Sequence, residues 1–337
     1  MDYCEEINMI EIQLLTTIIA GGVVLATPIL FASIGEVYDE RAGVINLGIE
    51  GIMTLTAFIA LWVTFETGDY LLGTIAALCA GALIAMIHSF ASVKMRVNQL
   101  ISGLLIFFLA NGIANFMNSV VIENIRKKTI ENPLAYSTAV PTVKPLQAID
   151  IPILSDIPVI GEIFFQHNAF VYLSFFLAVI FGAILYKTTW GLTVRGVGEN
   201  PEACDAAGIN VNRVRHLSVI LGGIMAGFAG ASITLGFIGL YDSSITAGRG
   251  WIAIIVVIFA RWSPYRAIVG SLIFGIGFSL SANLIGAGTE ISYHFLLTIP
   301  YLLALFLIFI QSVGIMPRFL ARKTKGPSSL TVPYWRK

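Results

Sequence analysis

Apolar runs of roughly 20 residues recur along this chain, each long enough to cross the hydrocarbon core of a bilayer as a helix. Within that core no water is present to satisfy backbone N–H and C=O groups, so such runs must be helical. The runs fall near residues 12–34, before 65, at 70–90, 100–120, 169–186, 216–236, 247–260, 267–284 and 294–312. The expectation is an all-α, polytopic integral membrane protein of about nine transmembrane helices, with eight to ten as the range, forming one transmembrane domain over 1–337. Composition points the same way, with 57% hydrophobic and 12% charged residues. A soluble domain carries about a quarter charged residues.

Charge orients the chain. Formal net charge is zero, which suggests no nucleic-acid partner, but the distribution is uneven. Asp2, Glu5, Glu6 and Glu11 crowd the start, whereas the tail after Pro317 carries Arg318, Arg322, Lys323, Lys325, Arg336 and Lys337. Basic residues mark cytoplasmic boundaries, so the tail (318–337) is expected in the cytoplasm and the N-terminus outside. The junctions at Lys94/Arg96 and Arg261–Arg266 are read as cytoplasmic, and the Glu290 turn as external. Residues 121–168 form a long, proline-bearing stretch expected to be an external loop, despite Arg126, Lys127, Lys128 and Lys144. Cys4, Cys79 and Cys204 are scattered, so neither a metal site nor a disulfide framework is indicated. The first apolar run lacks a basic n-region and reads as a span rather than a cleaved signal.

Residues 187–215, KTTWGLTVRGVGENPEACDAAGINVNRVR, are the longest polar interruption in the second half. Asn200 can cap a short helix over 201–207, with Pro201 at its first position and Glu202 and Asp205 near its positive end. Gly208 supplies a left-handed residue to close it, and Asn210 can cap the helix that follows. A structured helix between two spans, on the basic side, suits contact with something outside the membrane; the same punctuation would serve an ordinary loop. Two further stretches place polar residues at membrane depth. One is 41–50, with Asn46 and Glu50 among Gly43, Gly48 and Gly51; the other is 243–249, before a short span. Glycine-interrupted segments in matching halves point to a transporter's substrate path. Candidates for that path are Asn46, Glu50, Ser244 and Thr246, with Asn111 and Asn115 on one face of the fourth span. The asparagines could equally bond a neighbouring helix. Gly223, Gly227 and Gly230 form a small-residue stripe read as packing.

Three of these stretches resemble one family. RGVGENPEACDAAGINVNRVR (195–215) looks like the coupling-loop motif of bacterial ABC importer permeases of the ribose, branched-chain amino acid and nucleoside group. SITAGRGWIAIIVVIFAR (244–261) resembles the segment that follows it, and ERAGVINLGIEGIM (40–53) resembles the N-terminal signature of the simple sugar and nucleoside branch. The resemblance implies a coupling role for Asn200, Pro201, Ala203, Ala206, Ala207 and Gly208. It also implies separate ATP-binding subunits that bind ATP and Mg, a second, unlike permease, an extracytoplasmic solute-binding protein, and residence in the cytoplasmic membrane. No cofactor or metal is expected on this chain, which has no G-x-x-x-x-G-K-[ST] phosphate loop. It is not expected to be an enzyme. The rival reading is a self-sufficient secondary transporter or channel; a weaker one is an intramembrane serine hydrolase using Ser232 and His294.

Overall fold

In the computed structural model the described residues are 2–128, 140–289, 291–313 and 326–335, with side chains described from residue 12 onward except at 128, 311 and 312. The expectations placed on Glu290, on Asp2, Glu5, Glu6 and Glu11, on Cys4, on Lys128 and on the basic residues of 318–325 and 336–337 lie outside what is described.

The chain runs α1 (Asp2–Arg41), α2 (Ile49–Thr67), α3 (Tyr70–Ser89, prolonged by a wide π turn at Phe90–Lys94) and α4 (Gln99–Lys128). A loop then holds two short strands, β1 (Ile149–Asp150) and β2 (Gln166–His167), paired antiparallel around α5 (Ile160–Phe164). The second half contains α6 (Ala169–Lys187), α7 (Thr189–Glu199), α8 (Pro201–Ala206), α9 (Val211–Ile233, continued by a π turn at Thr234–Ile238), α10 (Arg249–Phe259), α11 (Pro264–Gly286), α12 (Tyr293–Leu296) and α13 (Ile299–Val313). Helix starts follow the side chains available to accept orphan N–H groups. Asp69 Oδ1 accepts from Leu71 N at 2.7 Å, Asn168 Oδ1 from Phe170 N at 3.1 Å, and Asn210 Oδ1 from Arg213 N at 3.0 Å.

Among the described residues, eight helices are long and apolar enough to cross a membrane. The ninth crossing is of another kind. α10 has 11 residues, about 16 Å at 1.5 Å per residue, or half a bilayer core. It is preceded by irregular backbone that starts at Gly239, whose carbonyl accepts from Val143 N at 2.9 Å at one end of the bundle. The crossing ends at Trp262, whose carbonyl accepts from Arg41 Nε at 3.1 Å at the other end.

α9 is the central element. It packs on α1, α2 and α3, and its glycine stripe is why backbones meet there. A methyl group at Gly223 would overlap the Gly81 carbonyl and the Ala85 side chain; one at Gly227 would sit 2.8 Å from the Ala77 carbonyl. Two boundaries differ from the sequence reading. α4 continues to Lys128 rather than stopping near 120, because the prolines lie beyond that point. α1 continues to Arg41 rather than ending with the apolar run near residue 34. Glu36, Asp39 and Glu40 are therefore helical and buried between elements instead of standing in water.

Candidate functional site

After α1 the chain turns at Gly43 (φ +90°) and re-enters the bundle without helix. Gln99 Oε1 accepts from Ile45 N at 3.0 Å, and Glu36 Oε1 accepts from Asn46 N at 2.9 Å. Asn46 Oδ1 turns back to accept from Gly48 N at 3.0 Å, and α2 begins one residue later. This re-entry delivers Glu50, 5% exposed, to the start of α10. Its Oε1 accepts from Thr246 Oγ1 at 2.7 Å and Gly248 N at 2.8 Å; its Oε2 accepts from Gly250 N at 2.6 Å. Thr54 and Thr246 hydroxyls meet at 3.2 Å. A carboxylate at a helix N-terminus satisfies orphan donors and complements the positive dipole end. Close approach requires glycine at 250, since a Cβ there would sit 2.7 Å from the Glu50 Cα. Arg249 is also buried, its Nη1 donating to the Ile245 and Thr246 carbonyls, each at 3.2 Å, and its guanidinium lying 4.7 Å from the Phe278 ring centre. The two broken segments thus meet, joined by one carboxylate.

A second cluster lies toward the loop end. Asn115 Oδ1 accepts from the Tyr241 hydroxyl at 3.2 Å. The Tyr241 ring meets Phe58 edge-on at 5.4 Å, and Phe58 stacks on Trp62 at 6.2 Å. Asn111, half-buried on the same helix face, makes no hydrogen bond to the described residues through its amide. Ser244 is exposed and held in a turn, its N and Oγ both donating to Asp242 Oδ1. The structure therefore unites Glu50 with Thr246 and, separately, Asn115 with Tyr241. Asn46 and Ser244 shape backbone. Phe58, Trp62 and Tyr241 were not among the sequence candidates; the i, i+4 spacing of Phe58 and Trp62 was the available signal.

At the opposite end, α7 and α8 make a two-helix loop, of which the sequence reading anticipated only the second helix. Asn200 Oδ1 accepts from Ala203 N at 2.9 Å, Pro201 opens α8, and Gly208 closes it at φ +84°. Ala203, Ala206, Ala207 and Gly208 are all exposed. Beneath them lies a feature absent from the sequence reading, an irregular C-terminal segment at 326–335. Arg215 joins it to α1, with Nε donating to the Ala42 carbonyl at 3.1 Å, Nη1 to the Val332 carbonyl at 3.0 Å and Nη2 to Ser329 Oγ at 3.2 Å. Nearby, Glu36, Asp39 and Glu40 are at most 1% exposed. Trp262 Nε1 donates to Glu40 Oε2, while neither Asp39 oxygen has a hydrogen-bond partner among the described residues.

Ser232 is 1% exposed and its Oγ donates to the Ala229 carbonyl at 2.7 Å, so it serves its own helix rather than acting as a nucleophile. A helical membrane bundle with two broken segments joined at depth and an ordered helical loop at one end defines a membrane permease. The family described as the permease component of the branched-chain amino acid transport system matches residues 18–309. The chain belongs to that family and is the membrane-spanning permease subunit of an ABC importer, not an enzyme. It is 33% identical to the guanosine ABC transporter permease protein NupQ of Bacillus subtilis, over 96% of this chain and 98% of that one. It is 34% identical to the nucleoside ABC transporter permease protein NupC of Lactococcus lactis (88% and 94%), and 36% identical to the putative glucose ABC transporter permease protein TsgC13 of Haloferax volcanii (74% and 72%). Such a subunit works with separate ABC transporter partners, including an ATPase.

Proposed function

We propose that this permease carries nucleosides or simple sugars into the cell, with the segment 240–248 and its neighbours on α2 and α4 lining the route. The observation that carries the solute class is near full-length similarity to two permeases named for guanosine and nucleosides. The second cluster suits such solutes. Aromatic faces stack on bases and sugar rings, and half-buried amides such as Asn111 and Asn115 bond hydroxyls or ring nitrogens. Glu50 and Thr246 act at one remove, fixing where α10 begins.

In this reading α8 docks on an ATP-binding subunit that holds ATP and Mg. ATP binding favours one docked arrangement over another and shifts the bundle between outward- and inward-facing populations. A second, unlike permease completes the pathway. Two differently named permeases match from each of two organisms, NupQ and NupP of Bacillus subtilis and NupC and NupB of Lactococcus lactis. A solute-binding protein delivers the cargo from outside, and the α8 end faces the cytoplasm. The test is uptake of radiolabelled guanosine and glucose into proteoliposomes carrying both permeases, with and without the ATPase and ATP. Guanosine or glucose accumulation only with the ATPase supports the reading. ATPase-independent accumulation would favour a secondary carrier, and ATP-driven uptake of leucine alone would overturn the solute class.

A further inference from the structure

We propose that the crevice between α3 and α6 holds one acyl chain of an anionic phospholipid, whose phosphate meets Lys144 at the crevice mouth. None of its lining belongs to the solute route proposed above, so the inference is independent of which solute the permease carries.

α3 packs on α2 and α9, and α6 packs on α1 and α11. Between α3 and α6 lies a crevice of about 410 Å³, walled by Leu71, Ile75 and Leu78 on one side and Leu173 on the other, with Phe228 of α9 also lining it. Phe228 stacks on Phe31 of α1 with ring centres 5.3 Å apart, so that part of the lining is fixed. Thr74 lines the crevice too, but its hydroxyl donates to the Tyr70 carbonyl at 2.8 Å, so the inner wall is apolar. From Tyr70 to Leu78 the crevice follows α3 for about 12 Å at 1.5 Å per residue. That is most of one leaflet of a hydrocarbon core about 30 Å thick. Leu71 and Ile75 are 67% and 45% exposed, which leaves the slot open along its length. An extended peptide lying there would bury unpaired backbone groups, whereas a hydrocarbon chain leaves nothing unsatisfied.

At the start of α3 the crevice opens into a second space of about 470 Å³, and Tyr70, Leu146 and Ala169 line both. The loop that forms this mouth is tied down. Leu146 N donates to the Leu235 carbonyl at 2.8 Å, and the Tyr70 hydroxyl donates to the Lys144 carbonyl at 2.6 Å. Lys144 lines the mouth, is exposed and makes no ion pair with the described residues. No carboxylate among the described residues lines either space. Asp69, beside Tyr70, is engaged in its own helix, accepting from Leu71 N at 2.7 Å and Leu72 N at 3.3 Å. Charge therefore decides the occupant. A lone ammonium above an apolar slot, at the level where a helix enters the bilayer, complements a phosphate whose own acyl chain fills the slot. A zwitterionic headgroup would bring its own cation towards Lys144, so an anionic headgroup is favoured.

The experiment uses the complete transporter in detergent, irradiated with a phosphatidylglycerol that carries a diazirine in one acyl chain, and maps the adducts by mass spectrometry. Adducts should concentrate within 70–78 and 169–173. Unlabelled phosphatidylglycerol should compete about fivefold better than phosphatidylcholine, the difference that one lysine makes near a membrane surface. Lys144→Gln, a change at an exposed position, should erase that preference while the crevice is still labelled. Thr74→Trp should fill the slot and abolish labelling there without altering the adducts on α4 and α13. Labelling of α4 and α13 as dense as that of the crevice would mark ordinary surrounding lipid and overturn the proposal. Equal competition by the two lipids in wild type, or a preference that survives Lys144→Gln, would overturn it as well. On a cysteine-free background, a benzophenone maleimide at Leu71→Cys should join to lipid; an adduct with another protein subunit would show that protein covers the crevice and sink the lipid site.

Discussion

Glu50 caps the half-helix that begins at Arg249, its Oε2 accepting from Gly250 N at 2.6 Å across 200 residues of sequence. Replacing Glu50 with Gln keeps the shape but turns one acceptor into a donor facing another N–H. An unsatisfied buried group costs about 1–3 kcal/mol. The Glu50→Gln permease should therefore lose thermal stability, by several degrees in detergent, as well as transport. Reduced transport at an unchanged Tm would instead mark Glu50 as a direct solute contact.

This relationship shows what a sequence can reveal and where it stops. Glu50 and Thr246 stood out because polar residues beside glycines at membrane depth need a purpose. Their mutual bond was not legible, since periodicity fixes which face a residue occupies but not which distant segment meets it. Spans were legible from apolar run length, and the caps of α8 and α9 from Asn200 and Asn210. The burial of Asp39 was hidden, because a cluster of three acids such as Glu36, Asp39 and Glu40 ordinarily marks water. Only the close seating of α1 on Gly222 of α9 places that carboxyl inside. The C-terminal segment at 326–335 was hidden for a related reason: most of its bonds run to backbone carbonyls, which leave no trace in composition.

The α3–α9 contact is set by absent side chains. Gly223→Val would drive two methyl groups into the Gly81 carbonyl and Ala85. Overpacking a close helix crossing costs about 1–3 kcal/mol or more. The variant should give strongly reduced yield of folded permease by size-exclusion chromatography. Gly112→Val, where nothing lies within 4 Å, should be recovered at near wild-type yield.

His167 makes the loop between α4 and α6 sensitive to acid. It is 4% exposed, and its Nε2 donates to the Ile163 carbonyl at 2.7 Å. Burial lowers its pKa below the ordinary 6.5. The folded loop then binds fewer protons than the unfolded one, so its stability is full above that value and declines as pH falls below it. Limited proteolysis of the loop should accelerate between pH 7.5 and 5.0 in wild type. His167→Gln, which can still donate to Ile163, should flatten that dependence.

Asp150, Asn200 and Ser328 are all exposed, so membrane sidedness alone should decide whether a cysteine at each is labelled. Ser328 Oγ donates to Glu199 Oε2 at 3.1 Å, which puts Asn200 and Ser328 at the same end. An impermeant maleimide added to intact cells should label Asp150→Cys and spare Asn200→Cys and Ser328→Cys. The reverse pattern would invert the proposed orientation and place α8 out of reach of any ATPase.

Helix α8 offers two ways to disconnect ATP hydrolysis from transport, and they act through different physics. Ala206 is exposed on the slim face, so Ala206→Arg adds bulk and an unmatched charge where a partner would seat, without touching the bundle. Gly208 has open space around it but sits at φ +84°. A β-branched residue forced into that conformation costs on the order of 1–3 kcal/mol, comparable to the stability of so short a helix, so Gly208→Val should unseat α8 by strain alone. Both variants should insert, keep the partner permease and bind the solute-loaded binding protein. Both should lose most substrate-stimulated ATP hydrolysis, while Gly208→Asn, which tolerates positive φ, should retain it. Full stimulation in the Ala206→Arg complex would show that α8 is not the coupling element, however well its capping residues resemble one.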